Sequence, residues 1–212
     1  MKSIKVLSAV ALFSLFSSAH AASTTYGGVT FPAGDISFAD EVINYSPGTD
    51  VGSGWNDSSD ALGAPNSDAV SLGDGGSLTV KFTNNSLIAS GDSSLDLWIF
   101  EIGGVTEYFD VFISTNGTDW LGLGSVRGQP TGIDIDAISG IQIGVPYSFV
   151  KLIDDESFNQ TGSPYGEADI DAIGAISSAP PVSEVPIPAA AFMFAPALLG
   201  FMGLRRKVKL AA

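Results

Sequence analysis

The sequence contains no cysteine, one histidine and few basic residues, and each scarcity excludes a class of function. Without cysteine there is no disulfide framework, no zinc–thiolate or iron–sulfur site and no thiol nucleophile. Nine Lys and Arg stand against 23 Asp and Glu, which gives a net charge of −14. Because binding DNA or RNA through the phosphates needs many cationic side chains, we expect no nucleic-acid partner.

The N-terminus has the three parts of a secretory signal peptide. Residues 1–5 carry two lysines, residues 6–16 are apolar or small, and residues 17–21 end in an Ala-x-Ala pattern. The apolar run is shorter than the roughly 20 residues that a membrane span needs. We therefore predict that residues 1–21 direct export through the Sec translocon and are then removed. His20, the only histidine, would leave with them.

The C-terminus has the composition of a membrane anchor behind a linker. Residues 179–188 are rich in proline, residues 189–204 are apolar and uncharged, and residues 205–212 contain four basic side chains. As a helix, the apolar run would be about 24 Å long, close to the thickness of a bilayer core. Since none of its faces is polar, it does not match a buried amphipathic helix of a domain. We predict a transmembrane helix whose basic end stays in the cytoplasm.

The tail also contains a recognisable motif, followed in order by the apolar helix and a basic stop. Its residues are Val185, Pro186, Ile187, Pro188 and Ala189, with Arg205, Arg206 and Lys207 after the helix. This arrangement resembles the PEP-CTERM sorting signal in its VPLPA variant, although isoleucine stands where that variant has leucine. The resemblance implies an exported protein of a Gram-negative bacterium that an exosortase processes at the inner membrane and passes to the cell surface or matrix. It also implies a structural or adhesive role with exopolysaccharide or biofilm.

Residues 22–178 have the pattern of a single all-β domain. Short β-branched and aromatic runs are separated by Gly, Asn, Asp and Ser, and no stretch has a helical period. The run 77–83 alternates apolar and polar residues, whereas 95–102 is apolar on both faces, as a central strand is. We predict an antiparallel β-sandwich of the jelly-roll type. The predicted strands are 70–72, 77–83, 95–102, 108–114, 120–126, 141–143, 148–154 and 169–176.

Two segments of this domain are similar to known folds. Residues 60–80, with the run Asp-Ala-Leu-Gly-Ala-Pro-Asn, look like the opening of secreted bacterial jelly rolls. Residues 111–120, which contain Asn116-Gly117, are similar to a hairpin of discoidin-like, galactose-binding-fold domains, and Asn-Gly itself favours a tight turn. These resemblances imply a fold, while a ligand must be argued from a site.

The chemistry available to the mature domain is that of carboxylates alone. With no imidazole or thiol there is no Ser-His or Cys-His pair. Asp134 with Asp136, and Asp169 with Asp171, are spaced so that on a strand their side chains lie about 7 Å apart. Pairs of carboxylates can hydrolyse glycosidic bonds, but such spacing occurs on any acidic strand. We predict that the protein is not an enzyme.

A structural calcium ion fits this chemistry better. Residues 22–183 carry three cationic side chains against twenty-two acidic ones, and Ca²⁺ prefers carboxylate and carbonyl oxygens. Secreted jelly rolls that resemble this one hold Ca²⁺ where an N-terminal loop meets the last strand. The resemblance implies Asp40 and Glu41 together with Asp169 and Asp171, the last two on one strand face. A second candidate is the acidic run 154–156.

Two loop aromatics suggest a different function, a carbohydrate-binding module with a specific glycan ligand. Trp55 and Tyr165 both stand among glycine and polar residues, and aromatic faces stack on sugar rings. The competing interpretation is that each closes the end of the core, as large aromatics are usually mostly buried. For Trp55 we favour the core interpretation, and the same holds for Trp98 and Trp120.

Overall fold

The computed structural model describes residues 22–156 and 167–180. In these ranges the regular elements are β-strands and three short 3-10 turns, and all strand pairs are antiparallel. The predicted all-β, antiparallel class is therefore confirmed. None of the helical turns in these ranges is long and apolar enough to cross a membrane. The predicted signal peptide, sorting motif and transmembrane helix, and Tyr165, lie outside the described residues.

Thirteen strands occur within the described residues. They are β1 (Thr24–Tyr26), β2 (Val29–Phe31), β3 (Glu41–Ser46), β4 (Val70–Ser71), β5 (Ser77–Lys81), β6 (Ser86–Leu87), β7 (Leu97–Glu101), β8 (Phe109–Ser114), β9 (Leu121–Val126), β10 (Thr131–Ile133), β11 (Phe149–Asp154), β12 (Asp169–Ala175) and β13 (Ser178–Ala179). The two larger sheets have the strand orders β10-β7-β12-β4 and β3-β5-β11-β8-β9. Two further sheets are the pairs β1-β2 and β13-β6.

One hydrophobic core is shared by the two larger sheets. Ile99 and Ile170 from the four-stranded sheet belong to the same buried cluster as Val80, Val111 and Val150 from the five-stranded sheet. All five side chains are fully buried, and each such side chain stabilises the fold by about 1.5–3 kcal/mol. The two sheets are therefore packed face to face, as the layers of a β-sandwich are.

A β-bulge in β12 divides its side chains between two clusters. The register against β7 shifts between Ile170 and Ala172, so that Ile170 and Ile173 both enter the shared core. Ala172 instead joins a second cluster with Phe38 and Phe100, packed beneath the β1-β2 hairpin. The prediction that Asp169 and Asp171 share one face of a regular strand is therefore wrong, because the extra residue changes which face each side chain meets.

The predicted strand at 141–143 is also wrong. This segment forms turns, in which the Ile141 amide donates to the Ile138 carbonyl and the Val145 amide donates to that of Gln142. Ile138, Ile141 and Val145 pack against the core from outside the sheets, whereas Ile143 is 75% exposed. An apolar run can thus meet a core without joining a sheet, and periodicity over three residues cannot separate the two cases.

The Asn-Gly hairpin joins β8 to β9 as predicted, through a wider turn than two residues. The Ser114 hydroxyl accepts from the amides of Asn116 and Gly117, at 3.2 and 2.9 Å. The Asn116 side-chain oxygen accepts from the amides of Thr118 and Asp119, both at 2.9 Å. These side-chain acceptors satisfy turn amides that a tighter turn would pair across the strands.

Replacing Gly117 by alanine is expected to destabilise the fold by about 1–2 kcal/mol, because its φ of +76° is costly for any residue with a Cβ. The added methyl would also lie 3.3 Å from the Phe149 ring. Urea unfolding measures the loss. Gly104→Ala is the matched control, since a methyl there meets nothing within 4 Å and its φ is not in the left-handed region. Equal effects for the two variants would contradict the conformational argument.

Candidate functional site

Four carboxylates gather at one end of the sandwich, which we call the acidic end. Glu101 closes β7, Glu107 precedes β8, Asp154 ends β11 and Asp169 begins β12. Antiparallel neighbours bring these strand ends together, since the start of β12 lies beside the end of β7. The acidic end therefore draws on strands from both large sheets.

Backbone hydrogen bonds hold the loops of the acidic end to one another. The Ile102 amide donates to the Asp169 carbonyl at 3.0 Å, and the Asp155 amide donates to the Tyr108 carbonyl at 3.1 Å. The Gly75 amide donates to a carboxylate oxygen of Asp154 at 3.1 Å. Glu101, Asp154 and Asp169 are thus carried on paired strand backbone, which fixes where their side chains begin, whereas Glu107 lies on the loop before β8.

Glu101 is the least conventional of the four carboxylates. Its side chain is 2% exposed, and neither carboxylate oxygen has a hydrogen-bond partner among the described residues. The amide of Gln129 lies nearby, but it donates to the carbonyls of Gly103 and Val105, at 3.4 and 3.3 Å. A buried carboxylate in this position must be protonated, paired or bound to a metal.

Burial raises the pKa values of this group of acids. Loss of solvent raises the pKa of Glu101 to about 8 and that of Glu107 to about 7, and each lies within the field of Asp169. Burial also raises the pKa of Asp169 to about 6, against a bond from Ser71 that lowers it. The pKa of Asp154 is raised by the same cause. Several acids in one buried place cannot all ionise without a compensating charge.

A cavity of about 380 Å³ opens beside the acidic end. Glu101 and Asp171 line it together with Gly103 and Gln129. Asp171 is 4% exposed, and its oxygens accept from the amides of Asn66 and Ser67, at 3.0 and 3.3 Å. The cavity therefore connects a partnered carboxylate, Asp171, with the unpartnered one, Glu101.

Trp55 lies on a loop at the same end and is not a core residue. It is 38% exposed and belongs to neither hydrophobic cluster, so the favoured interpretation from sequence, that it closes the core, is wrong. Its amide donates to Gly52 at 3.1 Å, and its carbonyl accepts from Ser71 at 2.8 Å. Ser71 in β4 lies opposite Asp169 in the antiparallel pairing of β4 with β12. Trp55 is therefore an exposed aromatic on a fixed loop beside the acidic end.

The other tryptophans are half-buried. Trp98 packs against the second cluster, and its ring nitrogen is buried without a partner among the described residues. Trp120 lies 4.4 Å from the Lys151 ammonium, which sits over its ring. Both rings are already covered by neighbouring groups, so neither offers the free face that Trp55 does.

The four acids expected to hold calcium lie with different partners. Asp40 accepts from the amide of Thr83 at 3.1 Å, and Glu41 lies 3.5 Å from the Lys81 ammonium. The neighbouring Ala39 amide donates to Ile173, four residues and roughly 13 Å along β12 from Asp169. The structure thus separates Asp40 and Glu41 from Asp169, and the bulge turns Asp171 towards the cavity.

A different acidic triad occurs at the opposite end. In the described ranges, Asp96, Asp134 and Asp136 are the group of three acids whose nearest carboxylate oxygens lie within 4.8 Å of one another. Asp96 is fully buried but accepts from the amides of Ser90 and Ile135, both at 3.1 Å. Asp134 caps the 3-10 turn Ile135–Ala137 by accepting from the Asp136 amide. These bonds explain the triad as loop structure.

Glu101 and Glu107 are the functional candidates that sequence reasoning missed. Glu101 lies within the run 95–102, which is apolar on both faces. The carboxylate within this apolar run could have indicated a functional residue, because a strand that is covered on both sides must bury any charge that it carries. Glu107 had no comparable sign, since its burial follows from the tertiary position of the loop before β8.

Comparisons with known proteins add little to this geometry. No known protein family matches the chain, and a search of curated proteins finds no relative. Among solved structures, the chain is similar to one described as "CpGH89CBM32-6 produced by Clostridium perfringens", whose name denotes a carbohydrate-binding module. The two are 12% identical, with a TM-score of 0.39, and the match covers 68% of this chain and 98% of the other.

Proposed function

We propose that the described domain is a non-catalytic carbohydrate-binding module, built as a jelly-roll β-sandwich, and that it binds its glycan at Trp55. The observation that carries this proposal is the 38% exposure of Trp55 on a loop held by backbone hydrogen bonds. Large aromatic side chains are usually mostly buried, because they carry much apolar surface. An exposed and fixed indole is instead suited to stacking on a flat apolar ligand face.

The loop of Trp55 is ordered before any ligand arrives. The Gly48 amide donates to the Leu72 carbonyl at 2.9 Å, and the Asp74 amide donates to the Thr49 carbonyl at 2.9 Å. These bonds attach the loop to the segment that follows β4. Since little loop entropy remains to be lost, more of the stacking free energy appears as affinity.

Polar acceptors lie next to Trp55 in the chain. Asp57 accepts from the amide and hydroxyl of Ser59, at 3.0 and 2.6 Å, and these bonds lower its pKa. Its carboxylate therefore stays ionised and fixed, and it retains further lone pairs for sugar hydroxyls. An apolar platform beside fixed acceptors is the arrangement that small-ligand sites use for affinity and orientation.

Substitution of Trp55 by alanine is expected to weaken glycan binding by at least about tenfold, which corresponds to about 1.4 kcal/mol of lost stacking. The measurement is an array of galactose-, N-acetylglucosamine- and mannose-terminated oligosaccharides, followed by calorimetry with the best ligand. Trp55→Phe should retain part of the affinity, because a smaller ring still stacks.

The matched control is Ile43→Ala, which removes a 45% exposed apolar side chain from β3 and should leave binding unchanged. The proposal fails if the protein binds no glycan on the array. It also fails if saturable binding survives Trp55→Ala, because the ligand would then lie elsewhere on the domain.

For the whole chain, we propose export and sorting to the cell surface or matrix. The support is the sequence of the two ends: the signal-like residues 1–21 and the motif Val185 to Ala189 ahead of Arg205. The Sec translocon and an exosortase would be processing partners, and exopolysaccharide would be the glycan environment. In that setting a binding module at the surface gives an adhesive role.

A further inference from the structure

Glu101 and Glu107 are two buried carboxylates that lie outside the loop of Trp55. Glu101 is 2% and Glu107 is 5% exposed, and the charge of Glu107 acts on the Glu101 carboxyl. Both Glu101 oxygens lack a hydrogen-bond partner among the described residues. Two ionised carboxylates that are buried close together repel each other unless a proton or a cation lies between them.

No cation of the described residues fills that role. These ranges hold three basic side chains, and each is engaged elsewhere. Lys81 lies 3.5 Å from Glu41, the Lys151 ammonium lies 4.4 Å from the Trp120 ring, and the Arg127 guanidinium stacks 4.8 Å from the Tyr108 ring. The carboxylate pair is therefore not part of an ion pair with any of them.

We propose that Glu101 and Glu107 bind a hard divalent cation of the Ca²⁺ class. The donors are carboxylates, and residues 22–212 contain no imidazole or thiol that would favour a softer metal. Neither the sequence-predicted set around Asp40 nor the triad at Asp96 includes this pair.

The cavity beside Glu101 gives an ion a path to the carboxylates, and the neighbouring loop has room to move towards it. The cavity of about 380 Å³ is lined by Glu101, Gly103 and Gln129 and opens to the surface. A methyl at Gly103 would lie 3.4 Å from a Glu101 oxygen, so the glycine leaves that oxygen uncrowded. The loop containing Gly103 and Gly104 joins the two glutamates, and its exposed glycines allow the small contraction that coordination by both requires.

Thermal unfolding of the full-length protein in mild detergent, in EDTA and then in 1 mM CaCl₂ or MgCl₂, tests the proposal. Calcium is expected to raise the melting temperature by at least about 5 °C, because a ligand that binds only the folded state stabilises it. Calorimetry should show one strong site. The response should grow between pH 6 and pH 8, since the cation displaces protons from its ligands.

Glu101→Gln should abolish the rise in melting temperature caused by calcium. Glu107→Gln should weaken calcium binding, measured by calorimetry, at least tenfold. Both are neutral replacements of similar shape, so they should fold in EDTA. The matched control is Asp136→Asn, which alters the triad at the other end and should retain the full shift. The proposal does not depend on glycan binding, since Trp55→Ala should also keep the calcium shift.

Three outcomes overturn the proposal. Calcium has no effect on the wild type, which would mean that the pair shares only a proton. The shift persists in both glutamine variants, which would place the ion elsewhere. The shift is lost in Asp136→Asn and kept in Glu101→Gln, which would assign it to the triad.

Discussion

In EDTA, the melting temperature of the protein is expected to fall as the pH rises from about 4.5 to about 8. Burial raises the pKa of Glu101 to about 8 and that of Glu107 to about 7, above the ordinary value of 4.5 that each has in the unfolded chain. Between these values the folded state holds more protons than the unfolded state. The stabilisation is therefore complete below pH 4.5 and is lost as the pH passes through the folded pKa values.

The size of this effect follows from the shift in pKa. Each unit by which a folded pKa is raised is worth about 1.4 kcal/mol, and a domain of this size loses about 2–4 °C of melting temperature per kcal/mol. We expect a fall of at least about 5 °C across the range. Circular dichroism melts at half-unit intervals measure it directly.

Glu101→Gln should flatten this pH profile and raise the melting temperature at pH 8, because the variant has no charge to bury. Asp136→Asn, again the control, should leave the slope unchanged. A wild-type profile that rises between pH 5 and pH 8 would mean that Glu101 and Glu107 are ionised in the folded state.

Replacing Phe38 by alanine is expected to destabilise the protein by about 3–5 kcal/mol. The side chain is 1% exposed, and its ring centre lies 4.6 Å from that of Phe31, 5.3 Å from Tyr26 and 6.1 Å from Phe100. Gly174 permits this packing, since a methyl there would lie 2.8 Å from the Phe38 ring. The variant leaves a cavity between the β1-β2 hairpin and the four-stranded sheet.

Urea unfolding gives the loss in free energy. The control is Ile36→Ala, two residues earlier and 42% exposed, which should change the free energy of unfolding by less than about 0.5 kcal/mol. A loss below about 1 kcal/mol for Phe38→Ala would mean that the hairpin is not fixed to the sheet through this ring.

Most of the central strands could be predicted from sequence, because their apolar residues occupy both faces. The predictions at 95–102 and 148–154 cover β7 and β11, which lie inside their sheets. Six strands were not predicted: β1, β2, β3, β6, β10 and β13. All except β3 have two or three residues and no measurable period, and β3 is six residues long but mostly exposed. Short strands take their conformation from the neighbours that pair with them, which is information that a local pattern lacks.

The site was harder to predict than the fold. The exposure of Trp55 depends on how its loop is fastened to Ser71, sixteen residues later, and no spacing indicates that. Asp169 and Asp171 were expected to act together, but the strand has a β-bulge at Asp171, which lines the cavity, whereas Asp169 pairs with Ser71 of β4. Tertiary placement, rather than residue type, decides which acids meet.

The direction of β12 determines how the domain is presented to its surroundings. The strand starts at Asp169 in the acidic end and runs to Ala175, and the chain then reaches β13 beside β6 at the far end of the sandwich. A tether attached after Ala179 would therefore hold the domain at the end opposite the acidic end. With such a tether, the exposed Trp55 and the mouth of the cavity beside Glu101 would point away from the point of attachment.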